Sequence, residues 1–172
     1  RKLPKQPRDD VLYAIETYTS RHLDSLSLTT VAILCFESCK QGRRDATFLK
    51  RVAVRASSEA DDGSPWDMAN LVYVFAPVFG NRPPRAVLVY ACRSCRAWVT
   101  RLSDFKPIDL SSIAAGLCRL YEETPLDGEV LEWFERAASR VVREWREFVH
   151  IDPSSIAHFA WGLCRAKVSC SK

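Results

Sequence analysis

Apolar residues recur along the chain at three- and four-residue spacing in short blocks, and the blocks themselves recur. The stretch "DPSSIAHFAWGLCR" (Asp152–Arg165) repeats "DLSSIAAGLCR" (Asp109–Arg119), 43 positions earlier. Two further copies, "SLTTVAILCF" from Ser27 and "SPWDMANLVYVF" from Ser64, come into register on the same alanine. The shared alanines Ala32, Ala69, Ala114 and Ala157 fall 37, 45 and 43 residues apart, a period that belongs to helical repeat arrays. Each copy opens on a residue whose side chain can cap a helix, Ser27, Ser64, Asp109 and Asp152, and Pro65 and Pro153 stand at the first helical position, where a missing N–H costs nothing. Behind the caps, Val31, Leu34 and Cys35; Met68, Leu71, Val72 and Phe75; Ile113, Gly116 and Leu117; and Ile156, Phe159, Ala160 and Leu163 each mark one apolar helical face. First helices are thus predicted near 27–40, 64–78, 109–121 and 152–166.

A second amphipathic stretch follows each of the first three copies: "DATFLKRVAVRASS", "PPRAVLVYACRSCRAWVTRL" and "DGEVLEWFERAASRVVREWREF"; "DDVLYAIETYTSRHL" precedes the first. Turn signals separate the pairs at Gly42, in "GNRPP" (80–84) and in "ETPLDG" (123–128). "RAVLVYAC" has the apolar run of a buried strand, but its pattern continues through Trp98 and Leu102 at helical spacing, so it reads as helix. The expected fold is all-α, a right-handed-type α-solenoid of helix-turn-helix repeats with about eight helices over residues 9–168. A basic N-terminal arm (1–8) and a short C-terminal tail (169–172) flank it. The arm, "RKLPKQPR", is similar to the extended segments by which ribosomal proteins enter RNA, or is a disordered end.

Composition narrows the class. With 47% hydrophobic and 27% charged residues the chain is ordinary for a folded protein, and charges interrupt every apolar run, so no membrane-spanning helix is expected. It starts without methionine, and its single methionine is Met68, as in a processed form or a piece of a longer chain. Net charge is only +4, but seven of the 25 basic residues are lysine and 18 are arginine, whose planar fork suits phosphate and stacks on bases. Seven cysteines spread over helical segments fit a reducing compartment better than a disulfide framework.

The pattern Asp-Pro-x-x-Ile-Ala-x-x-x-Trp-Gly-Leu-x-Arg, as it stands from Asp152 to Arg165, resembles the first helix of octotricopeptide and heptatricopeptide repeats. Those helix-pair arrays often precede a RAP domain in organellar RNA-binding proteins. The aromatic four residues after the shared alanine is Phe36, Tyr73 and Trp161 in three copies; Cys118 replaces it in the third, and no RAP-like sequence is visible in these residues. The resemblance implies RNA binding in a mitochondrion, or alternatively a plastid. The role would be that of a structural component of the mitochondrial ribosome contacting ribosomal RNA and neighbouring ribonucleoprotein subunits, or of an RNA-processing or stability factor. About four repeats grip few nucleotides, which favours the ribosomal role.

Two surfaces carry candidate contacts. Just off the apolar stripe of the first helices lie Asp67, Asn70, Ser112, Arg119, Ser155, His158 and Arg165, of which Asn70 and His158 offer hydrogen bonds to base edges and Arg119 and Arg165 charge for phosphate. The second helices and their approaches carry Arg43, Arg44, Lys50, Arg51 and Arg55, then Arg82, Arg85, Arg93, Arg96 and Arg101, either a phosphate-tracking stripe or a solvated face. The third hairpin mixes Glu129, Glu132, Glu135, Glu144 and Glu147 with its arginines and reads as an ion-paired or protein-contacting helix.

Cys92 with Cys95 and Cys35 with Cys39 fall inside predicted helices, at the spacing of a packed face rather than of a zinc ribbon, so no metal is expected. Nor is any cofactor: there is no Gly-rich phosphate loop, no HExxH and no GxSxG, and the expectation is a non-enzyme without a small-molecule substrate. The rival class is a protein-binding adaptor using the same array, for which Trp133, Phe134 and Trp145 are the exposed aromatic candidates.

Overall fold

The computed structural model describes residues 6–80 and 82–144, together with Arg146, Ala157, Ala160 and Cys164 as isolated positions. The described residues are all-helical. Seven helices follow one another as α1 (Gln6–Arg21), α2 (Leu28–Lys40), α3 (Ala46–Ser58), α4 (Pro65–Phe79), α5 (Arg85–Trp98), α6 (Pro107–Leu120) and α7 (Gly128–Arg143), with 3-10 turns at Leu23–Ser25 and Leu102–Asp104. No strand occurs among them, and "RAVLVYAC" lies in α5. The helix expected at 152–166 and the tail 169–172 lie outside the described residues. None of the described helices is long and apolar enough to cross a membrane.

Helix starts follow local chemistry. Ser27 Oγ accepts from Thr30 N (3.1 Å), and Asp45 Oδ1 accepts from Thr47 N (2.8 Å) and Phe48 N (3.1 Å). At α4, Asp67 N donates to Ser64 Oγ and Ser64 N donates to Asp67 Oδ2, a reciprocal box preceding the buried run Met68–Val72. Two expected starts move. α1 begins at Gln6, inside the segment read as an arm, and α6 begins at Pro107, so Asp109 is not its cap. Proline fits the first turn of α6 as it does in α4, and Asp109, now the third helical residue, accepts from Lys106 N at 3.2 Å.

Alternate helices pack on one another. α4 lies between α2 and α6, α5 lies between α3 and α7, and within each hairpin the contacts are fewer. The result is a helical repeat-like architecture of two rows, with one core between them. Like ends align along the first row: Thr29, near the start of α2, donates to Asp67 Oδ2 near the start of α4 (3.0 Å), and the mid-helix rings of Phe36 and Tyr73 meet at 5.3 Å. In the second row Val130, Trp133, Phe134, Ala137 and Ala138 form the buried face of α7. Trp133 and Phe134 are fully buried, which corrects their reading as exposed aromatics; their spacing from Val130 places them on the apolar stripe. Trp145 lies outside the described residues.

Candidate nucleic-acid interface

Most of the second-helix arginines are committed to the fold. Arg55, in α3, donates to the carbonyls of Leu23 and Leu26 and pairs with Glu59 at 2.9 Å. Arg140, in α7, donates to the carbonyls of Leu102 and Phe105 and pairs with Glu144 at 2.6 Å. Each guanidinium thereby ties a second helix to the 3-10 turn that leads into its own first helix. A second device links successive second-row helices: Arg51 donates to Ser20 O at the end of α1 (3.0 Å) and to Ser20 Oγ (2.7 Å), and Arg93 donates to Ser57 O at the end of α3 (2.8 Å). Both satisfy carbonyls that a helix end leaves without an internal donor.

Other nominated cations are also answered. Arg43 pairs with Glu16 at 3.2 Å and lies over the Tyr13 ring, and Arg101 pairs with Asp104 and covers Trp98. Burial pushes the Glu16 carboxyl above its usual range in spite of Arg43. Arg96 faces Glu129 of α7, whose carboxyl is held below the usual range by a backbone amide, by the Cys92 thiol and by Arg96. Arg44, Lys50, Arg82, Arg85 and Arg119 are exposed, and their side chains make no hydrogen bond or ion pair among the described residues.

On the first row, Asp67 and Asn70 are buried rather than presented at the surface. The α4 helix turns that face toward α2, where Asp67 takes the Thr29 hydroxyl, while Asp67 Oδ1 and Asn70 Nδ2 have no hydrogen-bond partner among the described residues. Asn70 is therefore not placed to read a base. Ser112 is half-buried and Arg119 exposed on α6; Ser155, His158 and Arg165 lie outside the described residues.

Arg119 and Arg44 flank a cleft of about 330 Å³. α4 supplies Tyr73, Ala76 and Pro77, α6 supplies Ser112, Ala115, Gly116 and Arg119, and Cys39 closes it at the end of α2. Its lining holds two cations and no carboxylate. Tyr73 is 47% exposed yet backed by Phe36, over which Lys40 lies at 5.2 Å. Pro77 has no N–H, so the Tyr73 carbonyl lacks its i+4 donor at the cleft wall. Helical spacing adds Ile33, Trp66 and Ile108, all exposed, to the same faces of α2, α4 and α6. Along this row the surface thus runs from apolar at the helix starts, through the Phe36–Tyr73 pair, to basic at the ends.

Four of the cysteines lie on packed faces, while Cys92 is half-buried and Cys164 exposed. Cys35, Cys39, Cys95 and Cys118 are buried, and burial raises the Cys35 thiol to about 12. No group of three or more His, Cys, Asp or Glu side chains is placed to hold a metal ion among the described residues. Compared with known proteins, the chain matches no family model, no curated protein and no solved structure.

What sequence reasoning missed is the Arg140 anchor. Its signal was present: Arg55 with Glu59 and Arg140 with Glu144 share i, i+4 spacing, and the two pairs stand 85 residues apart.

Proposed function

We propose that this chain is a non-catalytic, RNA-binding α-solenoid that acts in a mitochondrion as a structural subunit of a ribonucleoprotein, most concretely the mitochondrial ribosome. The observation that carries RNA binding is the cleft on the first-helix row, where Arg44 and Arg119, without acidic partners among the described residues, share the lining with an exposed tyrosine in contact with Phe36. Arginine and aromatic side chains together are the pairing that single-stranded RNA recognition uses. The two rows of alternating helices support the solenoid form. The organelle and the ribosome rest on the resemblance of the repeated phrase alone.

A protein-binding adaptor is the second reading, favoured by the exposed Ile33, Trp66 and Ile108 on the same row. Crosslinking inside the cell, with sequencing of bound RNA and mass spectrometry of bound proteins, separates the two. Organellar ribosomal RNA crosslinked to the first-helix row is the expected result; protein crosslinks without RNA would overturn it. In vitro, affinity for RNA should fall with salt, and replacing both Arg44 and Arg119 with Gln should reduce the log–log salt slope by about 1.4, at about 0.7 per single-strand phosphate contact.

A further inference from the structure

We infer that the cleft between α4 and α6 is a subsite for one unpaired ribonucleotide, its base stacked on Tyr73 and its phosphate held between Arg44 and Arg119. The inference rests on the RNA-binding reading and specifies the form of RNA. Three features of the cleft converge on it.

The volume, about 330 Å³, lies at the small end of the roughly 300–1,000 Å³ of ligand pockets, the scale of one nucleotide rather than of a duplex. Tyr73 lines the cleft, 47% exposed, and the Phe36 ring touches it at 5.3 Å and 56°, so little ordering is needed when a base arrives. The two guanidiniums bring positive charge with no lining carboxylate, complementary to a phosphodiester. A paired base has both faces covered by its neighbours in the stack and cannot lie on Tyr73. The subsite therefore selects single strands, loops or bulges.

The test uses the full chain and a short single-stranded RNA carrying one 2-aminopurine, whose fluorescence is quenched on stacking, with an unlabelled duplex as competitor. Wild type should bind and quench, with the duplex competing poorly. Tyr73→Phe should preserve both effects, and Tyr73→Leu should abolish quenching and weaken binding roughly 5- to 100-fold. Circular dichroism of both variants establishes that they fold. If RNA binds but Tyr73→Leu leaves affinity and quenching unchanged, or the duplex competes equally, the nucleotide subsite is wrong and the RNA-binding reading stands. If wild type binds no RNA at low salt, both fall together.

Discussion

Gly116 of α6 lies so close to Val72 of α4 that a Cβ built on it would stand 2.5 Å from Val72 Cγ1 and 3.2 Å from the Val72 carbonyl oxygen. Valine is stiff at χ1 and backbone cannot retreat alone, so this glycine sets how near α6 comes to α4. The cleft beside it, with Tyr73 on one wall and Arg119 on the other, depends on that approach.

Gly116→Ala should therefore destabilise the protein. Overpacking costs about 1–3 kcal/mol, against the ~1 kcal/mol that alanine gains over glycine in a helix. Gly128→Ala, at the start of α7 with nothing within 4 Å, is the control and should melt at or above the wild-type temperature. A Gly116→Ala protein at least as stable as wild type would show that the helix contact yields.

Arg140→Met keeps the apolar stem and removes the guanidinium from the Leu102 and Phe105 carbonyls. The expected loss is about 1–3 kcal/mol for each buried group left unpaired, read by urea unfolding. Lysine should rescue only in part, because a point ammonium cannot reproduce the fork. Arg55→Met should repeat the effect at the first hairpin and leave RNA affinity nearly intact. Lower RNA affinity at unchanged stability would instead assign Arg55 to the ligand.

Two carboxylates should shape stability against pH in opposite directions. Glu16 has its folded pKa raised by burial, so its contribution is complete below the ordinary glutamate value of about 4.3 and is lost as pH rises through the folded value. Glu144 is held below the usual range by hydrogen bonds from Arg140 and Arg143, so its contribution is present above the ordinary value and is lost as pH falls through the depressed one. Melting temperatures from pH 3 to pH 7, an interval of roughly that span around the ordinary value, should show Glu16→Gln gaining on wild type as pH rises and Glu144→Gln losing ground. Parallel curves for the three proteins would refute both assignments.

Much of the fold was legible in the sequence because it is local. Ser27 and Ser64 cap helices because their hydroxyls reach an amide three residues on, and the apolar spacing of Met68, Leu71, Val72 and Phe75 fixes the buried face of α4. The alternation of two helix types at a repeated period is likewise written along the chain. Pro107 shows where this reading slipped: the shared phrase begins at Asp109, but the helix starts earlier, because a proline in the first turn extends it without losing a bond.

The candidate site was less legible, since its chemistry is decided by partners distant in sequence. Arg55 and Arg119 look alike as letters, yet one faces the carbonyls of Leu23 and Leu26 while the other stands at a cleft edge with no acidic neighbour in the lining. Asn70 looked like a base reader and is buried on the face of α4 that turns toward α2, while Tyr73, three residues on, is exposed. Short-range sterics and hydrogen bonding let the sequence alone determine the helices, their caps and their order. Which arginines were spent on carbonyls, and where an aromatic ring and two cations would meet with no carboxylate in the lining, was decided only when the helices packed side by side, because a guanidinium's partners are fixed by distance in space.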